Sequence, residues 1–509
     1  MNDSVRNWHA ARGKVVRRAG QIARVIREDG TRGLAGRALR AASRRLDDPS
    51  STLPVRAQEV LRAGPLTPMP SRAEHSASLR SPGATASTLA GASAPEPRAS
   101  EPSAAAIAGT GRPVLPAAAR GDASLVVNWV MTPPPPGSGG HTTLLRLVEH
   151  LERSGHTCRL YFYDRYAGDI RTHTEVFRGY WPQIRAEVAD ATSPMQPCDA
   201  VFATSWQSAY VVADPRTPGR RFYCVQDFEP LFYPAGSESL LAENTFRFGF
   251  HGITAGRWLA EKLAVEYGMP CDYFEFGADT DMYRVDAGAQ RPVRDGVVFY
   301  AKPSTPRRAY SLGLLALEEF HRRHPDVPIH LFGENVGALP FPAQRHGVIT
   351  PSELNALYNR CLAGLCLSVT NISLIPFELL AAGCIPVVND ARHNRLVLDN
   401  PYVRYAQPTP GELAAALSDV VSATPPGQRE ERARAAAAGV ADLPWDAAGA
   451  AVERVLLREL RGVAAQSSQA SELAEPAEPA GPAGPALVSV FGGAPREDFR
   501  GAPSEAGVE

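Results

Sequence analysis

From residue 124 onward, apolar and polar positions alternate in blocks typical of a strand, a helix and a second strand. Residues 125–131 are apolar and rich in β-branched side chains, which predicts a buried strand. The next apolar positions recur at i, i+3, i+4 and i+7 and predict a helix: Leu144, Leu147, Val148 and Leu151. Gly155 stands at the predicted helix C-cap and residues 158–163 return to a strand pattern, so the region opens as a βαβ unit.

The alternation continues and then restarts in a second half. Strand-like runs of the first half are DAVFAT, RFYCVQD and YFEFGAD, and its helix-like runs include SLLAENTF and GRWLAEKLAVEYG. The second half begins with GVVFYA at 296–301 and continues through IHLFG, AGLCLSV and CIPVV, with helical spacing between them. The predicted fold class is therefore α/β, with two Rossmann-like doubly wound domains that face each other across a central cleft.

Composition places boundaries around these two domains, which we predict to span residues 124–290 and 291–462. Residues 1–48 form a basic segment with helical spacing. Residues 49–123 are rich in Ala, Pro and Ser, and residues 463–509 form an acidic tail. Neither of these last two segments holds enough apolar surface to offset its chain entropy, so both are predicted to be disordered.

The formal net charge of −1 conceals two oppositely charged ends. Residues 1–50 carry 12 Lys/Arg against 5 Asp/Glu, whereas residues 465–509 carry 2 against 7. Apolar residues from Val15 to Ile26 follow helical spacing beside arginines, which suits contact with an anionic membrane surface and equally a solvated or partner-bound helix. No aromatic residues or nucleic-acid motif accompany these arginines, so nucleic acid is not an expected partner.

Other features indicate where the protein works. The seven cysteines are scattered without a C-x-x-C pair, which favours reduced core residues of a cytoplasmic protein, and no secretory signal pattern opens the sequence. The apolar window 363–388 holds a single charge, but prolines and glycines divide it as in a buried α/β core rather than a transmembrane span. Residues 486–493 are apolar enough for a docking segment. We expect a cytoplasmic protein, at the inner face of the membrane if its basic N-terminus binds there.

A loop with four prolines and three glycines separates the first predicted strand from its helix. It places the backbone N–H groups of Gly139 and Gly140 at a helix N-terminus, where a phosphate gains from hydrogen bonds and the helix dipole. The alternative is that the glycines serve only the turn. A dinucleotide site is a further alternative: Thr142 replaces the third glycine of that fingerprint, but Asp164 at the end of the second strand keeps the alternative open.

Charged residues also follow strands in the second half. Lys302, Arg307 and Arg308 come after its first strand, where they would neutralise a diphosphate held opposite the glycine loop. Glu378 lies early in an apolar helix, and a buried carboxylate there needs a hydrogen-bond donor. That donor is either a pair of ligand hydroxyls or a group of the protein.

Together these motifs resemble the retaining GT-B glycosyltransferases of the group-one, glycogen-synthase-like type, over residues 124–460. Four segments in order are more narrowly similar to rhamnosyltransferases of the WsaF type: VQDFEPLFYPAGSE, HGITAGRWLAEKL, YAKPSTPRRAYSLGLLAL and LSVTNISLIPFELLAAG. The resemblance implies dTDP-L-rhamnose as donor, a glycan or lipid-linked glycan as acceptor, and transfer with retention and without a metal cofactor.

The resemblance also implies roles for residues on the donor side. Gly139 and Gly140 would approach the donor diphosphate, and Lys302 with Arg307 or Arg308 would neutralise it.

Two further positions belong to the Glu-x7-Glu pattern of the larger family. Glu378 matches its second glutamate, which would bind the nucleotide sugar, whereas Thr370 stands in place of the first. A carboxylate expected near the transferred sugar is thus missing, which fits a deoxysugar better than glucose. Thr370, Asn371 and Ser373 become candidates for the surface that contacts the sugar.

On the acceptor side, Asp227 and Glu229 end a predicted strand in the segment QDFEP. Either carboxylate could bind an acceptor hydroxyl or stabilise positive charge on the sugar ring, so both are predicted catalytic residues, with loop capping as the alternative role. His141 and His251 are alternative contacts for phosphate or sugar, and no catalytic base is assigned. The function predicted is transfer of a deoxyhexose, with a GT-B nucleotide-sugar epimerase, an NAD-dependent dehydrogenase and a non-catalytic glycan-binding module as alternatives.

Overall fold

The computed structural model describes residues 53–69, 124–135, 138–166, 168–286, 293–423 and 425–472, with side chains up to residue 461. The two α/β domains within it belong to one compact unit that ends at Gly462. The predicted basic segment 1–48 and apolar run 486–493 lie outside the described residues.

The N-terminal domain is built on a parallel sheet. Its strands are β1 (Val126–Met131), β2 (Thr157–Phe162), β3 (Glu187–Asp190), β4 (Ala200–Ala203), β5 (Arg220–Val225), β6 (His251–Ala255) and β7 (Cys271–Phe274). Their order in the sheet is β3-β2-β1-β4-β5-β6-β7. β1 is buried along its whole length, which explains why its sequence VVNWVM lacks polar alternation. Trp129 of β1 stacks on Phe202 of β4 with ring centroids 4.2 Å apart.

The C-terminal domain repeats this architecture. Its strands are β8 (Gly296–Ala301), β9 (Ile329–Gly333), β10 (Gln344–Gly347), β11 (Cys361–Cys366), β12 (Ile385–Asn389) and β13 (Arg404–Ala406). They form a parallel sheet in the order β10-β9-β8-β11-β12-β13. The prediction of two Rossmann-like domains is therefore confirmed.

Helices connect the strands in both domains. In chain order they are α1 (Ala57–Arg62), α2 (Gly139–Arg153), α3 (Ile170–Tyr180), α4 (Trp206–Val212), α5 (Ser237–Asn244), α6 (Arg257–Tyr267), α7 (Tyr310–Arg323), α8 (Pro351–Asn359), α9 (Ile375–Ala381), α10 (Arg392–Arg395), α11 (Pro410–Ser422), α12 (Arg429–Ala438) and α13 (Trp445–Glu472). α2 ends as predicted, with Gly155 at φ +90 just after the C-cap residue Ser154.

The last helix joins the two domains. Glu453 of α13 forms hydrogen bonds with the Nε2 atoms of His150 and His156 in the N-terminal domain, both at 3.1 Å. Gly449 lies so close to His150 that a Cβ at this position would stand 2.2 Å from the imidazole. α13 therefore returns from the C-terminal domain and packs tightly on the N-terminal one.

The structure corrects several sequence predictions. The predicted strand YFEFGAD ends early, at Phe274, because the chain turns at Gly277 to pass against Trp445, and a Cβ there would lie 2.7 Å from the indole. Helix α13 runs to Glu472, ten residues into the predicted disordered tail, through an Ala- and Gln-containing stretch that favours helix.

The prediction of disorder over 49–123 is wrong for residues 53–69, which fold onto the N-terminal domain. Val55 is fully buried among Trp206, Tyr210 and Ala242. Val55 is buried by residues far away in sequence, and the average composition of the linker does not reveal such contacts.

The apolar window 363–388 is not a membrane span. It forms β11, α9 and β12, all within the C-terminal core. Among the residues that the structure describes, no helix is both long and apolar enough to cross a bilayer.

Candidate functional site

The predicted site residues converge where the carboxyl ends of the two sheets meet. The glycine loop follows β1, the QDFEP segment follows β5, and the Lys/Arg segment follows β8. The segment that contains Thr370 and Asn371 follows β11. Ligands of open parallel sheets bind at this edge, so the fold presents all four segments to one cleft.

The last two glycines of the loop, Gly139 and Gly140, begin the first turn of α2. Its N-cap residue, Ser138, makes no capping bond to the helix backbone, because its Oγ pairs with His141 Nδ1 at 2.7 Å. The first-turn amides of Gly139 and Gly140 therefore keep no side-chain cap and remain suited to an anion. A Cβ on Gly140 would lie 3.8 Å from the Gln226 side chain, which places this loop beside the QDFEP segment.

Asp227 is the residue that joins the two sides of the cleft. Its Oδ2 accepts a hydrogen bond from Thr370 Oγ1 at 3.0 Å, and its Oδ1 accepts one from the Asn371 N–H at 2.8 Å. Arg307 adds an ion pair, with Nε 3.4 Å from Oδ2. Asp227 is 9% exposed as a whole residue, and Thr370 is 1% exposed. A carboxylate from the N-terminal domain thus stands within one hydrogen bond of position 370, where the family pattern places its first glutamate.

Asn371 strengthens the same junction. Its Nδ2 donates to the carbonyl oxygens of Gln226 and Ala255, both at 2.9 Å, and both acceptors belong to the N-terminal domain. Two buried polar atoms here, Arg307 Nε and Asn371 Oδ1, lack a hydrogen-bond partner among the described residues. Since buried polar groups are normally paired, Asn371 Oδ1 stands out as an unsatisfied acceptor, whereas Arg307 Nε keeps its ion pair with Asp227. Ser373 lies half-buried in the same segment.

The three predicted diphosphate cations differ in their surroundings. Arg308 is half-buried and donates to Ser368 Oγ at 2.6 Å and to the Asn371 carbonyl at 3.3 Å. Arg307 lies over the Phe232 ring at 4.0 Å and pairs with Asp227. Lys302 is half-buried with Nζ 5.9 Å from the centre of the Tyr300 ring, and no described carboxylate lies within 4.0 Å of it. Lys302 is therefore the cation best placed to take a diphosphate, while the two arginines shape the junction.

Glu378 sits in the first turn of α9, as predicted. Its Oε2 accepts a hydrogen bond from Tyr358 OH at 3.3 Å. Burial raises the pKa of the Glu378 carboxyl to about 7, against the smaller opposing effects of Tyr358 and Arg146. The carboxyl is thus poised between its two protonation states near neutral pH.

Glu229 takes the capping role rather than a place beside Asp227. Its Oε2 accepts from the Trp206 N–H at 2.6 Å and from Tyr223 OH at 3.1 Å, which caps the first turn of α4. Burial raises the pKa of the Glu229 carboxyl to about 7. Its catalytic role stays a prediction, whereas these contacts favour a structural one.

Replacing Glu229 with alanine is expected to lower the free energy of unfolding by roughly 1–3 kcal/mol, because the Trp206 amide and the Tyr223 hydroxyl would lose their shared acceptor. Urea unfolding of this variant and of Glu175→Ala, an exposed carboxylate on α3, measures the difference. Equal stability of the two variants would contradict the capping role.

The remaining candidates lie away from the junction or are held by local contacts. His251 is the first residue of β6, at the amino end of that strand and away from the junction, and pairs with Asp272 at 2.8 Å. The side chain of Asp164 accepts hydrogen bonds from the Tyr166 and Gly168 amides and from His173. These contacts use the carboxylate that a dinucleotide site would need for its ribose.

Sequence reasoning missed the hydrogen bonds that support the segment after β11, which contains Ser368, Thr370 and Asn371. Ser368 is clamped by Asn389, whose side chain accepts from its N–H and donates to its carbonyl, both at 2.8 Å. His393 Nε2 donates to the same carbonyl at 2.9 Å. The available signal was an asparagine at the end of β12 and a histidine four residues later. Among the described residues, no group of three or more His, Cys, Asp and Glu could hold a metal, and metal independence stays a prediction.

Comparison with known proteins identifies the family of the C-terminal domain. Residues 295–418 match the family described as WsaF, C-terminal domain. The O-antigen biosynthesis protein RfbC of Myxococcus xanthus is 37% identical over 245 residues, which cover 44% of this chain and 18% of that protein. The chain therefore spans under a fifth of the length of this relative.

Solved structures share the two-domain fold. TarM matches with a TM-score of 0.53 at 7% identity, covering 66% of this chain and 98% of that one. Anabaena Alr3699/HepE, solved in complex with UDP-glucose, matches with a TM-score of 0.50 at 14% identity, covering 66% and 100%. The fold is therefore GT-B, that of glycosyltransferases, and the predicted resemblance to the WsaF family is confirmed over the C-terminal domain.

Proposed function

We propose that this protein is a glycosyltransferase of glycan biosynthesis that moves a deoxyhexose, L-rhamnose from dTDP-L-rhamnose, onto a hydroxyl of a growing cell-surface glycan. The observation that carries the proposal is the contact of Asp227 with Thr370 and Asn371. It joins the predicted acceptor surface and the predicted donor surface into one site. The WsaF match supports the sugar class, and the similarity to an O-antigen biosynthesis protein supports the glycan.

The geometry suggests how such a transfer would proceed. Lys302 and the first-turn amides of Gly139 and Gly140 would stabilise the diphosphate as its bond to the sugar breaks. Asp227 would face the positive charge that develops on the sugar ring. Because Lys302 and these amides would stabilise the negative charge of the leaving group, we propose that the reaction does not depend on a metal ion. The acceptor would arrive on the same face that the diphosphate leaves, with retention of configuration, and a leaving phosphate oxygen would take the acceptor proton.

Position 370 bears on the sugar. The family's first glutamate is absent, but the loop does not lack a carboxylate, because Asp227 Oδ2 lies 3.0 Å from Thr370 Oγ1. A donor sugar here would therefore meet a shorter carboxylate, supplied by the opposite domain, while Thr370 itself is buried. A deoxysugar has fewer hydroxyls to bind, which suits a site without the family's longer carboxylate.

The proposed setting is the cytoplasmic side of the cell envelope. A lipid-linked glycan acceptor would bring the enzyme to the membrane, and the basic residues 1–48 would hold it at anionic headgroups.

Incubating the purified chain with a panel of sugar nucleotides and a rhamnose-ended acceptor tests the function. We expect nucleoside diphosphate release with dTDP-L-rhamnose and a product heavier by one deoxyhexose. Sugar release that needs no acceptor would favour an epimerase, and silence across the panel would refute a transferase.

Donor affinity is expected to depend on pH through Glu378. Its raised pKa of about 7 means that it must lose a proton before it can accept hydrogen bonds from two ligand hydroxyls. The donor dissociation constant should therefore rise by up to about tenfold per pH unit below 7 and level off above it. Titrations from pH 5.5 to 8.5 measure this effect. A Glu378→Gln variant should bind weakly at every pH, and a pH profile identical to that of the unaltered chain would contradict the assignment.

A further inference from the structure

Residues 53–69, the docked arm, form a segment whose contacts lie beside the proposed acceptor surface. Helix α1 occupies its centre, and the arm is held at both ends. Val55 is fully buried against α4, and the Thr67 N–H donates to the Arg247 carbonyl at 2.8 Å. Such contacts fix the arm in one place rather than leave it as part of a linker.

Arg56 is the polar centre of the docked arm. Its Nη2 donates to the Asp164 carbonyl at 2.8 Å and its Nε to the Arg165 carbonyl at 3.3 Å. Its backbone N–H lies 3.0 Å from Tyr163 OH, which donates to Glu59 at 2.6 Å. The arm thus satisfies the backbone just after β2, at the carboxyl edge of the sheet.

The sheet order shows what lies between these contacts. β1 pairs with β2 on one side and with β4 on the other. Arg56 contacts the exit of β2, whereas Val55 packs on α4, which follows β4. The docked arm therefore spans both neighbours of β1, next to the crevice where chain direction reverses and where such sheets bind ligands.

The docked arm is also connected to the QDFEP segment. Trp206, which packs against Val55, has its backbone N–H held by Glu229. Asp227 lies two residues before Glu229, so a shift of α4 would be transmitted to the carboxylate at the junction.

We infer that the buried contacts of the docked arm, those of Val55 and Arg56, support the acceptor site by holding the β2 exit and α4 in position against an incoming glycan, while the outer face of α1 takes no part. This inference rests on the proposed function. Arg56 and Val55 are then positioning residues, since their contacts fix the wall of the crevice rather than touch the reacting atoms. The ligand class is a hydroxyl-rich glycan that enters beside β1.

A matched pair of full-length variants tests the inference. Val55→Asp places a charge in the buried contact, whereas Leu61→Asp places the same charge on the outer face of α1, where Leu61 is 83% exposed. We expect Val55→Asp to raise the acceptor KM by about tenfold or more, with the donor KM unchanged, because small displacements of a binding wall strongly affect productive binding. Leu61→Asp should alter neither constant.

Two further measurements separate positioning from loss of the fold. Hydrogen exchange should become faster in Val55→Asp at the amides of Tyr166 and Gly168, which donate to the Asp164 carboxylate, and stay unchanged in Leu61→Asp. Arg56→Ala should raise the acceptor KM in the same direction without a buried charge. A synthetic peptide of residues 51–70 should partly restore the acceptor KM of Val55→Asp.

The possible failures are distinguishable. Absence of any transfer by the unaltered chain contradicts the proposed function. Transfer with the same acceptor KM in Val55→Asp and Leu61→Asp overturns the role of the docked arm, as does a parallel rise of donor and acceptor KM in Val55→Asp and Arg56→Ala.

Discussion

Replacing Lys302 with alanine is expected to raise the activation free energy of sugar transfer by about 2–4 kcal/mol, which lowers turnover by roughly 30- to 1,000-fold. No carboxylate of the described residues lies within 4.0 Å of Lys302 Nζ, so none of them offsets its charge, which can act on the departing diphosphate. The loss should appear mainly in kcat, because negative charge on the leaving group grows as the glycosidic bond breaks. Steady-state kinetics with a saturating acceptor provide the measurement.

The matched control for Lys302 is Arg322→Ala. Arg322 is an exposed cation of the same domain, paired with Glu319 on α7. This variant removes the same formal charge away from the cleft and should retain full turnover. A Lys302→Ala enzyme as fast as Arg322→Ala would show that the diphosphate is neutralised elsewhere.

The second large effect is expected for Asp227→Asn, which keeps the size of the side chain but removes its charge. Arg307 would lose its counter-charge and Thr370 would face an amide nitrogen in place of an acceptor, within a junction that is almost fully buried. Removing one partner of such a group typically costs about 2–5 kcal/mol. We therefore expect kcat/KM to fall by roughly 30- to 1,000-fold or more, with Asp326→Asn, an exposed carboxylate in the C-terminal domain, as the unaffected control.

Moving the carboxylate tests whether its place matters. In the double variant Asp227→Asn/Thr370→Asp, the charge returns to the junction from the other domain. We expect this enzyme to recover about tenfold over Asp227→Asn, while Thr370→Asp alone suffers from two adjacent carboxylates. No recovery in the double variant would mean that the identity of Asp227, and not the presence of a carboxylate at the junction, decides activity.

The fold followed from sequence because its signals are local. Apolar runs such as 125–131 and 361–366 mark buried parallel strands, and the spacing of leucines between them marks helices. The short strands β3, β10 and β13 escaped prediction because they lie at or near sheet edges and carry polar residues, as in QRHG. Strand order and register depend on crossovers that local patterns do not encode.

The candidate site was predictable only one domain at a time. Lys302 and Glu378 could be found because each lies at a sequence position fixed by a neighbouring strand or helix. The contact between Asp227 and Thr370 spans 143 positions and depends on how two sheets face each other. No pattern within either segment indicates it.

Asp227 and Glu229 show a further limit of sequence reasoning. They are two residues apart and chemically alike, so both were predicted to serve the cleft. Glu229 begins the 3₁₀ turn Glu229–Phe232 and accepts the Trp206 N–H at the start of α4, whereas Asp227 lies at the junction. Only the backbone path decides which carboxylate meets a substrate.

Calorimetric titration of dTDP into the unaltered chain and into Lys302→Ala is the most direct measurement of a diphosphate site between the two domains. dTDP carries the charge that the donor develops as its sugar departs. We predict saturable binding of one nucleotide per chain, weakened by at least about tenfold in Lys302→Ala, and no binding of NAD⁺. Equal affinity in both proteins, or no binding to either, would contradict a donor diphosphate held at Lys302.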